Sequence, residues 1–174
     1  MLQPNPATLG VSRVALRWLV VLNWIYGAAI LVGLAASLVA EVPVMTALGV
    51  TPSVETEPLV RGMRVIAVLG LVSVPLHYVI LRRLADIVER VSVCASFEPA
   101  NASRLRTIAW SLLGLQLLSV AIGSVAGIVS TPAHPLDVDA GFSTAGWLAV
   151  LLLFVLARVF AEGTRMRDDL EGTV

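Results

Sequence analysis

Apolar residues gather along this chain in four long runs separated by polar stretches. Trp18 to Ala40 and Thr107 to Ser130 each exceed the roughly 20 residues that a helix needs to cross about 30 Å of hydrocarbon. The run from Val65 to Leu81 is shorter and holds Pro75 and His77, but Gly62, Met63 and a snorkelling Arg64 extend it. Phe142 to Ala161 is interrupted only by Arg158, near enough to its end for the guanidinium to reach an interface. The pattern predicts an all-α integral membrane protein, a four-helix bundle forming one membrane domain over 1–174, with spans near 18–40, 62–81, 107–130 and 142–161.

Arg13 and Arg17 ahead of an apolar run also describe a signal peptide. The run is much longer than the roughly 7 to 15 residues of a signal peptide's apolar region, and it reaches Glu41 without a small-residue cleavage site. It reads as an uncleaved first helix.

Between the second and third runs the pattern changes character. Leu81, Leu84, Ala85, Val88 and Val91 recur at helical spacing while Arg82, Arg83, Asp86, Glu89 and Arg90 fill the other face, so the second helix is expected to continue beyond the membrane into a connector over 82–106. Ser96-Phe97-Glu98-Pro99 predicts a break, because a residue before proline is pushed out of the helical region. Asn101 then stands where an N-cap is wanted, ahead of Arg104-Leu105-Arg106 and the third span. Asn101-Ala102-Ser103 matches a glycosylation sequon, which a cytoplasmic position makes a chance match.

Composition sharpens the class without changing it. Hydrophobic residues make up 57% and charged residues 14% of the 174, and the mean hydropathy of +0.89 is that of a membrane protein. The net charge is zero, and no direct nucleic acid binding is expected. A single cysteine, Cys94, excludes an internal disulfide and the Cys-x-x-Cys chemistry of four-helix thiol oxidoreductases. Every basic residue is Arg. Arg13 and Arg17, then Arg82, Arg83, Arg90, Arg104 and Arg106, then Arg158, Arg165 and Arg167 flank one side of the predicted bilayer, against Arg61 and Arg64 on the other. The positive-inside rule therefore puts both termini, the connector and the tail over 162–174 in the cytoplasm, in a bacterial inner membrane, with the loops after the first and third spans outside.

Polar residues within the spans are the candidates for chemistry, because they are costly there. Asn23, His77, Gln116, Arg158 and Glu162 all fall in the cytoplasmic half and are expected to form one interhelical hydrogen-bond layer, at about 0.6 kcal/mol per bond. Alternatively the layer conducts protons or cations through His77, although no carboxylate lies deep in any apolar run. Gly123 and Gly127 form a GxxxG pair extended by Ser119, suited to packing within the bundle or to a homo-oligomer. Pro75 is expected to kink the second helix. Glu41 to Leu59, with Pro43, Pro52 and Pro58, reads as an irregular outer connection. His134, Asp137 and Asp139 read as a surface turn rather than a metal site, and phosphate-loop, serine-nucleophile and HExxH patterns are missing, so neither a cofactor nor an enzyme is expected.

Two cytoplasmic stretches carry a resemblance. Phe97, Asn101 and Arg104-Leu105-Arg106 before an apolar span, and Phe160-Ala161-Glu162-Gly163-Thr164-Arg165-Met166-Arg167-Asp168-Asp169-Leu170 with Thr173-Val174, resemble the bacterial membrane family known as domain of unknown function 2975. The chain departs from it at Cys94-Ala95-Ser96-Phe97, where that family commonly has a Gly-rich turn into Pro-Phe. The resemblance implies four helices and no established activity. It also implies, through small helix-turn-helix regulators commonly encoded beside such proteins, a cytoplasmic partner. Phe97, Asn101, Arg104, Arg106, Arg165 and Arg167 would form the partner surface of such an adaptor. A small transporter or channel subunit built on the polar layer is the other expectation.

Overall fold

The computed structural model describes the backbone of residues 6–47, 56–91, 99–132, 135–136 and 138–171, and side chains within 13–47, 56–88, 101–132, 135–136 and 138–166. Its regular elements are helical: α1 (Pro6–Val39), α2 (Glu41–Ala47), α3 (Glu57–Val91), α4 (Pro99–Val129) and α5 (Thr144–Glu171). The stretches Arg13–Val39, Glu57–Val88, Asn101–Val129 and Thr144–Met166 are long and apolar enough to cross a membrane. Their outward faces fit that solvent, with Val39 90% and Ile128 83% exposed beside Trp18, Leu22, Val32 and Leu152. Monomers in water seldom present contiguous apolar surface on this scale.

All four helices are longer than the apolar runs that announce them. A membrane span needs about 20 residues, and the 35 residues of α3 extend about 52 Å. The helix runs through Pro75 unbroken, and the amphipathic stretch Leu81 to Val91 continues it as its periodicity predicts. Two boundary expectations are corrected. Glu41 to Leu59 is not irregular throughout, since α2 forms with Pro43 in its first turn, where a missing N–H costs no helical bond, and α3 opens with Pro58 second. Asn101 does not cap α4, because Pro99 already starts it and Asn101 lies inside the first turn. The expected break over 96–98, Phe97 with it, lies outside the described residues.

The chain divides into two compact units. Unit 1 takes residues 1–22, 76–114 and 144–174, and unit 2 takes residues 23–75 and 115–143. Apart from Arg61 and Arg64, every Arg of the sequence belongs to unit 1. In unit 1 the small faces of α4 and α5 are buried at Ala102, Ala109 and Ala157, with Ile108 and Val150 between. Trp110 and Phe154 meet edge to face at 5.4 Å and 87°. In unit 2, Met45 of α2, Leu59 and Val60 of α3 form an apolar cluster, completed by Val44, Met63, Val129 and Leu136. Burial of Met45 explains why α2 orders on this surface although its seven residues are too few for an isolated helix.

Candidate functional site

In unit 2, α1 and α3 approach closely at Gly27, where an added Cβ would lie 3.0 Å from a Val74 methyl. One turn away along α1, Asn23 Nδ2 donates to the Val74 carbonyl at 3.1 Å. The polar group that looked costly in the first span thus takes its partner from the backbone of α3, at the residue before Pro75. Gln116 lies in the same unit, and its Oε1 is buried with no hydrogen-bond partner. An unpaired buried carbonyl costs about 1–3 kcal/mol. His77, Arg158 and Glu162 fall in unit 1, where all three are exposed and where Arg158 and Glu162 have no partner among the described residues.

Unit 1 also holds the connector residues. Asn101 and Arg104 are both more than nine-tenths buried, and Arg104 Nη1 donates to Asn101 Oδ1 at 3.1 Å, one turn along α4. These two side chains fix the start of the helix and are turned away from solvent, whereas Arg106 and Arg165 are exposed. Arg83 pairs with Asp86 at 3.7 Å, and Arg82 reaches the Tyr78 hydroxyl at 3.4 Å. The side chains of Phe97 and Arg167 lie outside the described residues.

Sequence reasoning missed a clip in unit 2. Arg64 Nη2 donates to the Ser37 carbonyl at 2.6 Å and to Glu41 Oε2 at 2.8 Å, while Nε reaches Ser37 Oγ at 3.4 Å. Ser37 is in the last turn of α1, whose final carbonyls lack helical donors, so one guanidinium closes α1, anchors the first turn of α2 and ties both to α3. The signal available in the sequence was an Arg just inside a span with Glu41 at the end of its neighbour.

The segment after α4 was also missed, and it reassigns a motif. Ser119 Oγ accepts from Gly141 N at 3.1 Å and donates to Gly141 O at 3.2 Å. Gly141 has φ of +142°, a conformation that favours glycine. A Cβ on Gly123 would sit 2.7 Å from the Ala140 carbonyl oxygen and 2.8 Å from Gly141 Cα. The Gly123 notch of the GxxxG pair is therefore filled by this chain's own connecting segment, while Gly127 is exposed with open space beside it. Asp139, two residues before Gly141, is exposed and without an ion-pair partner among the described residues; His134 and Asp137 lie outside them.

A family model described as "Protein of unknown function (DUF2975)" matches residues 33–174. No curated protein and no solved structure matches the chain. The match takes in α2 to α5 and both stretches that carried the resemblance.

Proposed function

The chain belongs to the DUF2975 family, and on that premise we propose that it is a non-enzymatic membrane adaptor, a four-helix bundle of the bacterial inner membrane that holds a cytoplasmic regulator. The observation that carries this reading is the partition of charge: all Arg but Arg61 and Arg64 belong to unit 1. By the positive-inside rule the Arg-rich helix ends of unit 1 then face the cytoplasm, and with them both termini. On this reading about ten residues of α3 project beyond the bilayer on that side, from Arg82 to Val91, and Arg106 and Arg165 are exposed on two other helices of the same unit. Side chains of this kind give a soluble, acidic partner face a place to bind, while the buried Asn101–Arg104 pair fixes the first turn of α4.

The partner class that the family resemblance implies is a small helix-turn-helix regulator. Co-purification of such a regulator with the detergent-solubilised protein tests the reading. Replacing Arg106 and Arg165 by Glu is expected to release the regulator while leaving the helical content unchanged. A regulator retained after residues 82–106 and 162–174 are both scrambled ends the adaptor reading.

Transport through a layer of Asn23, His77, Gln116, Arg158 and Glu162 has less support, because Asn23 already serves the Val74 carbonyl and Arg158 and Glu162 are exposed. Flux in proteoliposomes that falls on replacing His77 and Arg158 would revive it.

A further inference from the structure

In unit 2 the start of α3 and the end of α4 form an open groove of about 390 Å³. Val65 lines it on one side and Val125, Ile128 and Val129 on the other, with Glu57 and Arg61 at its rim. Gly62 sets its back. With no side chain there the Val129 methyls close on α3, and an added Cβ would lie 2.6 Å from one of them. The lining is otherwise branched aliphatic, with Val65 and Ile128 exposed along it. A volume of this size falls within the roughly 300–1,000 Å³ of small-molecule sites.

The groove is graded along its length. Glu57, Arg61 and Val65 follow one another at four-residue intervals on one face of α3, about 6 Å apart along the axis. Glu57 begins one stretch long and apolar enough to cross a membrane, and Val129 ends another. The rim therefore belongs at the bilayer surface and the aliphatic walls in hydrocarbon. Arg61 Nη2 donates to Glu57 Oε1 at 2.5 Å, but the two side chains are 75% and 61% exposed. An exposed pair of this kind contributes little, so each member can take another partner at small cost.

We propose that this groove binds phosphatidylethanolamine, with an acyl chain against Val65, Val125 and Ile128, the phosphate on Arg61 and the primary ammonium on Glu57. The order of the groups decides the occupant. In this lipid the acyl chain, the phosphate and the ammonium succeed one another as the apolar wall, Arg61 and Glu57 do along α3. A guanidinium offers a phosphate two parallel N–H donors, and a carboxylate accepts from an ammonium. A headgroup with negative charge alone suits a purely basic pocket, and here it would set its phosphate beside the Glu57 carboxylate. A choline headgroup has no N–H for that carboxylate. The site uses none of the residues of the adaptor surface and does not depend on which side of the bilayer it faces.

Native mass spectrometry of the detergent-solubilised protein tests it, with phosphatidylethanolamine, phosphatidylcholine and phosphatidylglycerol of identical acyl chains titrated in turn. The first is expected to bind at least about ten-fold more tightly than the other two, the worth of one charged hydrogen bond. Arg61→Gln is expected to lose that preference, and Val65→Phe to weaken binding by filling the groove; both positions are exposed and tolerate the change. Exchanging the rim charges, Glu57→Arg with Arg61→Glu, keeps the net charge and the pair spacing but reverses their order. The preference is expected to vanish while helical content by circular dichroism stays unchanged. Equal binding of the three lipids overturns the proposal, and so does a preference for phosphatidylglycerol, which any exposed Arg could supply. A preference for phosphatidylethanolamine that survives Arg61→Gln or the exchange overturns it also, because recognition would then lie elsewhere.

Discussion

Gly123 and Gly127 belong to one sequence motif, but their surroundings differ so much that the same substitution is expected to act in opposite directions. At Gly123 an added Cβ would fall 2.7 Å from the Ala140 oxygen, 2.8 Å from Gly141 Cα and 3.0 Å from the Ala140 carbonyl carbon, all of them backbone that no side-chain rotation can move aside. Gly123→Ala must therefore push Ala140 and Gly141 away from α4, and the two hydrogen bonds between Ser119 and Gly141 go with them. At about 0.6 kcal/mol each in a membrane protein, and up to about 1.7 in the strongest cases, the loss is about 1–3 kcal/mol. Against this stands about 1 kcal/mol of helix propensity gained by replacing Gly with Ala. The net expectation is destabilisation of about 0–2 kcal/mol. Gly127 has nothing within 4 Å of the new atom, so Gly127→Ala keeps the propensity gain alone and is expected to stabilise by about 0.5–1 kcal/mol. Reversible unfolding in detergent, followed by circular dichroism, measures both. Equal stabilisation by the two variants would refute the packing described at Gly123. Loss of a dimer in both would restore the motif to an intermolecular seam.

Three further outcomes follow from the contacts in unit 2. Arg64→Ala is expected to cost about 1.5–3 kcal/mol through its charged hydrogen bonds to Ser37, whereas Glu41→Gln, which touches only a half-exposed ion pair, is expected to change stability by less than about 1 kcal/mol in the same unfolding assay. Gly62→Ala is expected to destabilise against the Val129 methyls and Val129→Ala to make room for it; a double-mutant cycle showing no coupling would contradict the contact. Asn23→Leu is expected to lose about 0.6 kcal/mol with the Val74 carbonyl bond, and thermal unfolding at or above the unsubstituted protein's midpoint would show that bond to be idle.

Hydropathy made the four apolar helices legible, because the need to satisfy every backbone group inside a bilayer leaves few alternatives to a helix. The periodicity of Leu81, Leu84, Ala85, Val88 and Val91 also announced that α3 continues past its apolar run. What hydropathy could not show was anything decided by contacts distant in sequence. Arg64 read as a snorkelling residue because its acceptor, the Ser37 carbonyl, is backbone and carries no letter of its own. Asn101 read as a cap because Pro99 was taken as a breaker, whereas proline in a first turn starts a helix as readily as it ends one. Pro43 misled in the same way at α2. The connecting segment before α5 was the largest omission: a polar stretch between two apolar runs is read as a free connection, and only the bonds to Ser119 show that Gly141 lies against α4.

Those bonds bear on what other members of the family can contain. Ser119, Gly123 and Gly141 sit in two segments separated by a helix end, yet the segment can lie against α4 only while position 123 stays without a side chain, position 141 tolerates its left-handed backbone and position 119 offers a hydroxyl. Selection would act on the three as one character. A relative with a bulky residue at position 123 should have altered the other two as well, or have shortened the connection so that it no longer lies against α4, and the loss of any one would free the others to drift.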